Sequence, residues 1–192
     1  MRFFPLLAAV AVSALMYMVI FERPALFEMA GLTPAEAKAP TADMPPAQLN
    51  EVAAPDLVKV VKSAIDVTDV DFGVGIGLRT EEEQAALVAK GASQTMKSKH
   101  LRQDDGFCHA VDLFAYVGGN VDWSLPLYDN IADAMKKGAL AHSVQLRWGA
   151  AWSVPNVMEW EGTMEEAMNS YIDLRRSQDR RPFIDGPHFE LM

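Results

Sequence analysis

Cysteine is almost absent: Cys108 is the single one in 192 residues. No disulfide framework can form, and neither can a zinc module built on four cysteines. A metal would have to sit on His, Asp or Glu. Positive charge is scarce as well. Against 26 Asp and Glu stand 17 Lys and Arg, which gives a formal net charge of -9 and a sequence pI of about 4.9. No basic cluster occurs anywhere. Phosphate backbones need a positive surface that releases counterions, so no nucleic-acid partner is expected. Apolar residues make up 50% of the chain, enough for one domain with a real core plus accessory segments.

From Phe3 to Phe21 the chain reads FFPLLAAVAVSALMYMVIF, with no charged residue. At ~1.5 Å per residue, a helix of that length spans roughly the ~30 Å hydrocarbon layer. Arg2 precedes the run, while Glu22 and Arg23 cancel after it. The positive-inside rule then puts the N-terminus in the cytoplasm. The run exceeds the ~7–15 residues of a cleaved signal core, and the nearest A-x-A, Ala35 to Ala37, lies too far downstream. Residues 1–23 are therefore expected to be an uncleaved signal anchor. That makes the chain a single-pass inner-membrane protein with its C-terminal domain in the periplasm. Ala-richness, Pro5 and Ser13 make the anchor's hold on the bilayer weak enough for later release. Residues 24–55, rich in Ala and Pro as in AEAKAPTADMPPAQ, are expected to be a flexible linker, because they cannot bury enough surface to offset ordering.

Residues 56–192 are expected to form the folded domain. Asp56 suits a helix N-cap, with Leu57, Val60, Val61, Ala64 and Ile65 as its apolar stripe. Val70, Phe72, Val74 and Ile76 alternate with Asp71, Gly73, Gly75 and Gly77, a strand with one bare face. Thr80 to Glu83 is a capping box for a helix that Gly91 ends. Ala110 to Val117 reads as a strand, followed by a turn at Gly118-Gly119-Asn120. Ser124 and Pro126 start a helix reaching about Leu140, and Val144 to Trp148 is a short strand. A second capping box, Thr163 to Glu166, opens a helix to Gln178, and Phe183 to Leu191 closes as loop and strand. Helices and strands interleave without regular β-α-β units, so the class is α+β: a small mixed domain with a central antiparallel sheet flanked by helices, preceded by the transmembrane helix.

The stretch SKHLRQDDGFCHAVDLF, Ser98 to Phe114, holds two histidines and three aspartates. His109 and Asp112 are close in sequence, but residues three apart on a strand point to opposite faces. His100, across the polar stretch Leu101 to Cys108, is free to fold back beside Asp112. Strand parity favours His100. His142 follows a helix end and is read as a cap or a solvent-facing side chain. His188 lies in IDGPHFEL, where Pro187 forbids an ordinary helix and Asp185 precedes it by three residues. Such a carboxylate beside a histidine suits a general base next to a metal ligand, although Asp-Gly-Pro is also an ordinary turn. Cys108 reads as a small buried hydrophobe. Trp148 and Trp152 line a cleft or pack in the core, Asp104 and Asp105 belong to a solvated loop, and Glu190 receives no role.

Ser98-x-His100, Gly106, Ala110-x-Asp112 and Asp185-x-x-His188 together resemble the S-x-H-x-x-G-x-A-x-D and [DE]-x-x-H motifs of M15 zinc peptidases. Matching segments include GLRTEEEQ (Gly77 to Gln84), GASQTMKSKH, LRWGAAW (Leu146 to Trp152) and the terminal FIDGPHFEL. They are most similar to the phage L-alanyl-D-glutamate endopeptidases, over roughly Asp56 to the C-terminus. The resemblance implies His100, Asp112 and His188 as ligands of Zn2+ and Asp185 as general base. It implies Arg79 at the developing oxyanion and the substrate, with Gln84 and Ser98 also on the substrate side. The family places its first histidine seven residues before the aspartate, whereas here the gap is twelve. Either Arg102 to Asp105 is an insertion at a loop tip, or the pairing shifts and His109 becomes the ligand. The implied function is zinc-dependent cleavage of the peptidoglycan stem peptide during cell-wall lysis, by a monomer. The alternatives are a D-Ala-D-Ala carboxypeptidase and a non-catalytic wall-binding module with structural zinc.

Overall fold

Along the strand Ala110–Val117, Val111, Leu113 and Ala115 point into the core, while Ala110, Asp112 and Phe114 point the other way. The computed structural model describes residues 46–192. In chain order they form α1 (Pro46–Val52), α2 (Pro55–Ile65), β1 (Asp71–Ile76), α3 (Glu81–Ala89), β2 (Ala110–Val117) and β3 (Asn120–Val121). Then follow α4 (Leu125–His142), β4 (Leu146–Trp148), a short 3-10 turn (Val157–Glu159), α5 (Met164–Ser177) and β5 (His188–Leu191). All strand pairs are antiparallel, in the order β1-β2-β5-β4, with β3 hairpinned onto β2. The α+β class with a central antiparallel sheet flanked by helices is thus the observed one.

The core lies between the Val111 face of the sheet and the helices. Leu57, Val60, Val61 and Ala64 of α2 and Ile131, Met135 and Ala139 of α4 gather there with Leu113, Leu146, Trp148 and Phe189. Burying a side chain such as Leu113 stabilises the fold by roughly 1.5–3 kcal/mol. On the opposite face of β1, Gly75 leaves room for an aromatic ring. A Cβ there would lie 2.3 Å from Phe114 Cε2, so only glycine allows the Phe114 ring, itself edge-on to Trp123, to lie against the strand.

Both capping boxes form as the residues dictate: Thr80 accepts from Glu83 N, and Thr163 accepts from Glu166 N. Asp56 does not cap α2. Pro55 takes the first helical position, Ala54 stands at the N-cap without a side-chain bond, and Asp56 falls in the first turn. Packed structure also begins before Asp56, contrary to a linker running to residue 55. Leu49, Ala53 and Ala54 are buried, and Ala54 N donates to Cys108 O while Cys108 N donates to Val52 O. The apolar side chains scattered among the prolines are enough to seat this segment against the approach to β2.

The expected single-pass inner-membrane placement is not supported. Among the described residues no helix is long and apolar enough to cross a membrane. The run Phe3 to Phe21, on which the anchor rested, and the linker as far as residue 45 lie outside the described residues.

Candidate metal centre and active site

Asp112 pairs directly with His188 across β2 and β5, and with Ile76 across β1 and β2. Cross-strand partners on one face lie within side-chain reach of each other, so Asp112 and His188 meet because of register alone. His100 reaches the same point from a turn. Arg79 N donates to His100 O, and His100 Nδ1 lies 2.8 Å from Gly77 O, just past β1. The bare end of β1 is where the first histidine docks.

Three ligand atoms converge. His100 Nε2 is 3.1 Å from Asp112 Oδ1, His188 Nδ1 is 3.1 Å from the same oxygen, and the two nitrogens are 3.2 Å apart. A carbonyl only accepts, so His100 Nδ1 carries the proton it gives to Gly77 O and Nε2 presents a lone pair. His188 Nε2, 3.2 Å from Glu190 Oε2, likewise donates and leaves Nδ1 bare. Two lone pairs and a carboxylate oxygen facing one another need a cation between them. A tetrahedral zinc with ligands at ~2.0–2.1 Å separates neighbouring ligand atoms by roughly 3.3 Å, so this triangle fits one face of that tetrahedron. Among the described residues no other three His, Cys, Asp or Glu side chains gather in this way.

The electrostatics agree with a cation site. Burial works against charge on His188, but its bonds to Asp112 and Glu190 and the charges of Asp112 and Asp185 win, raising its pKa to about 10. A place that draws a proton so strongly also draws a metal ion. Burial likewise opposes ionisation of Asp112, yet the charge and bond of His100 and the bond of His188 hold it well below the ordinary carboxylate range. Asp185 goes the other way. Burial first, then the negative charge of Asp112, push it up to about 6. Two neighbouring carboxyls with pKa values driven apart divide the roles of ligand and base between them.

The turn carrying Asp185 is clamped. Gly149 N donates to His188 O, Asp185 N donates to Gly149 O, and Trp148 Nε1 donates to Gly186 O at 2.8 Å. A Cβ on Gly149 would lie 2.5 Å from Asp185 O and 2.9 Å from His188 Cβ, so glycine is required where β4 passes under the turn. Trp148 is therefore a core residue. Trp152 instead lies at the site, stacked on the His188 ring with centroids 5.7 Å apart.

Arg79 reaches the same cluster, with Nη2 3.6 Å from Asp112 Oδ2 and Nη1 donating to Gln84 Oε1 at 2.8 Å. Gln84 is fully buried and its amide nitrogen is taken by Ser93 Oγ and Thr95 O. It holds Arg79 in place. The Ser98 hydroxyl accepts from His100 N, inside the turn that presents the histidine.

His109 stays outside. Its Nε2 bonds Asp105 Oδ2 at 2.8 Å, its N donates to Lys99 O, and its O accepts from Leu191 N. The extra residues between His100 and Asp112 close on themselves: Gln103 N donates to Phe107 O, and Gly106 N donates to Gln103 O. They form a loop tip that leaves position 100 in place. Cys108 is buried and its thiol is raised to about 11 by burial, as suits an inert core residue. His142 is exposed and bonds Ser63 Oγ at 2.7 Å.

Glu190 was assigned no role from the sequence, yet it bonds the ring of His188. Burial would raise its pKa, but the bond to His188 and the charges of His188, Arg147 and Lys99 bring it down. The signal was its position two residues after His188 on a strand, which puts both side chains on one face. Arg147 opposite it could not be found that way, because its pairing with Glu190 depends on which strand lies beside β5.

The comparisons with known proteins are specific. Residues 42–192 match the family described as phage L-alanyl-D-glutamate peptidase. The chain is 29% identical over 142 residues to the L-alanyl-D-glutamate peptidase of Escherichia phage T5, covering 72% of this chain and 88% of that protein. It is 41% identical over 76 residues to the L-alanyl-D-glutamate peptidase of Listeria phage A118, covering 40% of this chain and 24% of that one. Among solved structures it resembles the Serratia marcescens L-Ala D-Glu endopeptidase ChiX, with a TM-score of 0.56 and 28% identity over 79% of this chain and 89% of that chain. The chain belongs to the phage L-alanyl-D-glutamate peptidase family.

Proposed function

We propose that His100, Asp112 and His188 hold a zinc ion beside which this chain hydrolyses the L-Ala–D-Glu bond of the peptidoglycan stem peptide. The chain is a peptidoglycan endopeptidase by family, and the observation that carries the local assignment is the triangle of ligand atoms with a second carboxylate, Asp185, close by. Zinc, when bound there, acts as a Lewis acid towards the scissile carbonyl and lowers the pKa of water to roughly 7.

The protein's own residues do the rest. Asp185, with a pKa near 6, is ionised at neutral pH yet basic enough to take a proton from the attacking water. It then returns that proton to the leaving D-Glu amine. Arg79 presents fixed positive charge next to Asp112, where negative charge develops on the carbonyl oxygen. Gln84 keeps the guanidinium from swinging away. Trp152 walls the site beside His188. Cutting the stem peptide dissolves the wall's cross-linked net, which suits lysis.

A purely structural metal site would have no use for a base, so Asp185 separates the two readings. Isolated sacculi incubated with parent protein should lose turbidity, while an equal amount of metal-loaded Asp185→Ala should not. Equal clearing by both proteins would refute the assignment.

A further inference from the structure

The two histidines of the triangle are held by different means. His100 is fixed by a backbone carbonyl, Gly77 O, which no side-chain change removes. His188 is fixed by a side chain. Its Nε2 donates to Glu190 Oε2, and the other oxygen of that carboxylate, Oε1, lies 3.4 Å from Arg147 Nη1. Glu190 and Arg147 are direct cross-strand partners on β5 and β4, so the sheet sets their contact. Arg147 also lies over Trp152, with Cζ 6.0 Å from the ring centroid, and Trp152 stacks on His188. The imidazole is thus gripped on its edge by Glu190 and on its face by Trp152, and Arg147 touches both grips.

We propose that Glu190, oriented by Arg147, is a positioning residue that locks His188 in the Nε2–H tautomer and sets how tightly the metal is held at Nδ1. The inference rests on the reading of His100, Asp112 and His188 as a metal site. A carboxylate behind a ligating imidazole fixes the ring and makes its free nitrogen a better donor. Removing it leaves the ring able to turn or to carry its proton on Nδ1, where it repels a cation. Glu190 itself touches neither metal nor substrate.

Zinc affinity measured by chelator competition on the full chain tests this, with Glu190→Ala, Glu190→Gln, Arg147→Ala and His188→Ala beside the parent. Loss of such a supporting carboxylate typically weakens metal binding about 10–100-fold, which is the effect expected for Glu190→Ala. Glu190→Gln keeps an oxygen that can accept the Nε2 proton and an almost identical shape, so it should recover part of the affinity. Arg147→Ala should fall between Glu190→Ala and the parent. In zinc-loaded parent, ring 15N shifts should show His188 protonated at Nε2 and metal-bound at Nδ1, with the Nε2 proton exchanging faster in the Glu190 variants. Parent-like affinity in Glu190→Ala, or in Glu190→Leu should the alanine variant misfold, overturns the proposal while leaving the metal site standing. A parent that binds zinc no better than His188→Ala overturns the metal site itself.

Discussion

Asp112 touches both histidines and Arg79: Oδ1 faces the two imidazole nitrogens and Oδ2 faces the guanidinium. One carboxylate thus aligns two ligands and the cation meant for the oxyanion. His100→Ala should abolish stoichiometric zinc, as measured by elemental analysis of the purified protein, whereas His109→Ala should bind a full equivalent. Asp185 sets a pH dependence. Its pKa is raised, so the base form is lost as pH falls through about 6, and a bound cation moves that midpoint lower. The acidic limb of kcat/KM should report this group, and Asp185→Asn should lower kcat by roughly 10²–10⁴-fold and remove the limb. Position 100 could be chosen over 109 from strand parity alone, because Asp112 sits inside a regular strand where faces alternate. Glu190 could have been found by the same parity. That Gln84 is buried and bonded to Arg79, Ser93 and Thr95 was not legible, because a motif names the residue but not its neighbours.

At the scale of elements, the helix α3 turns the corner between Arg79 and Gln84, and its capping box fixes that corner. Thr80→Ala should lower stability by about 1 kcal/mol in thermal or chemical unfolding. It should also reduce kcat more than zinc affinity, because Arg79 shifts while the sheet register keeps Asp112 and His188 paired. A sharper break is Gly149→Ala. With backbone at 2.5 Å from the added Cβ, the Asp185 turn must move, and overpacking of this kind typically costs about 1–3 kcal/mol. Both capping boxes and β2 were legible because they depend on residues within one or two turns of chain. The start of α2 was not, since Pro55 and Asp56 both carry helix-start signals and proline won the first position. Strand order was not legible either: nothing local says that β5 inserts between β2 and β4, yet that insertion pairs Asp112 with His188 and Arg147 with Glu190.

Across the described residues, the site occupies one face of the sheet, with α3 beside it, and α2 and α4 cover the other, so chemistry and stability are largely separate. Asp129 on α4 belongs to the stabilising half but carries a liability. Burial, and then the charges of Glu165 and Asp133, raise its pKa to about 7, and Oδ1 has no partner. An unfolded carboxyl gives up its proton near pH 4 while this one keeps it to about pH 7, so stability falls as pH rises through that window. Asp129→Asn should therefore raise stability at pH 8 by about 2 kcal/mol, seen as a higher melting temperature, and change little at pH 4. The segment before Asp56 joins this half too, through its bonds to Cys108. The sequence hid that contribution because proline-rich composition masks a few well-placed apolar side chains. The measurement that bears most directly on the central claim is mass spectrometry of sacculi digested by the full chain, as purified, after chelation and after zinc is restored. Fragments ending in L-Ala and beginning with D-Glu should appear, vanish with chelator and return with zinc. Release of terminal D-Ala alone, or cutting that ignores chelation, would contradict the account.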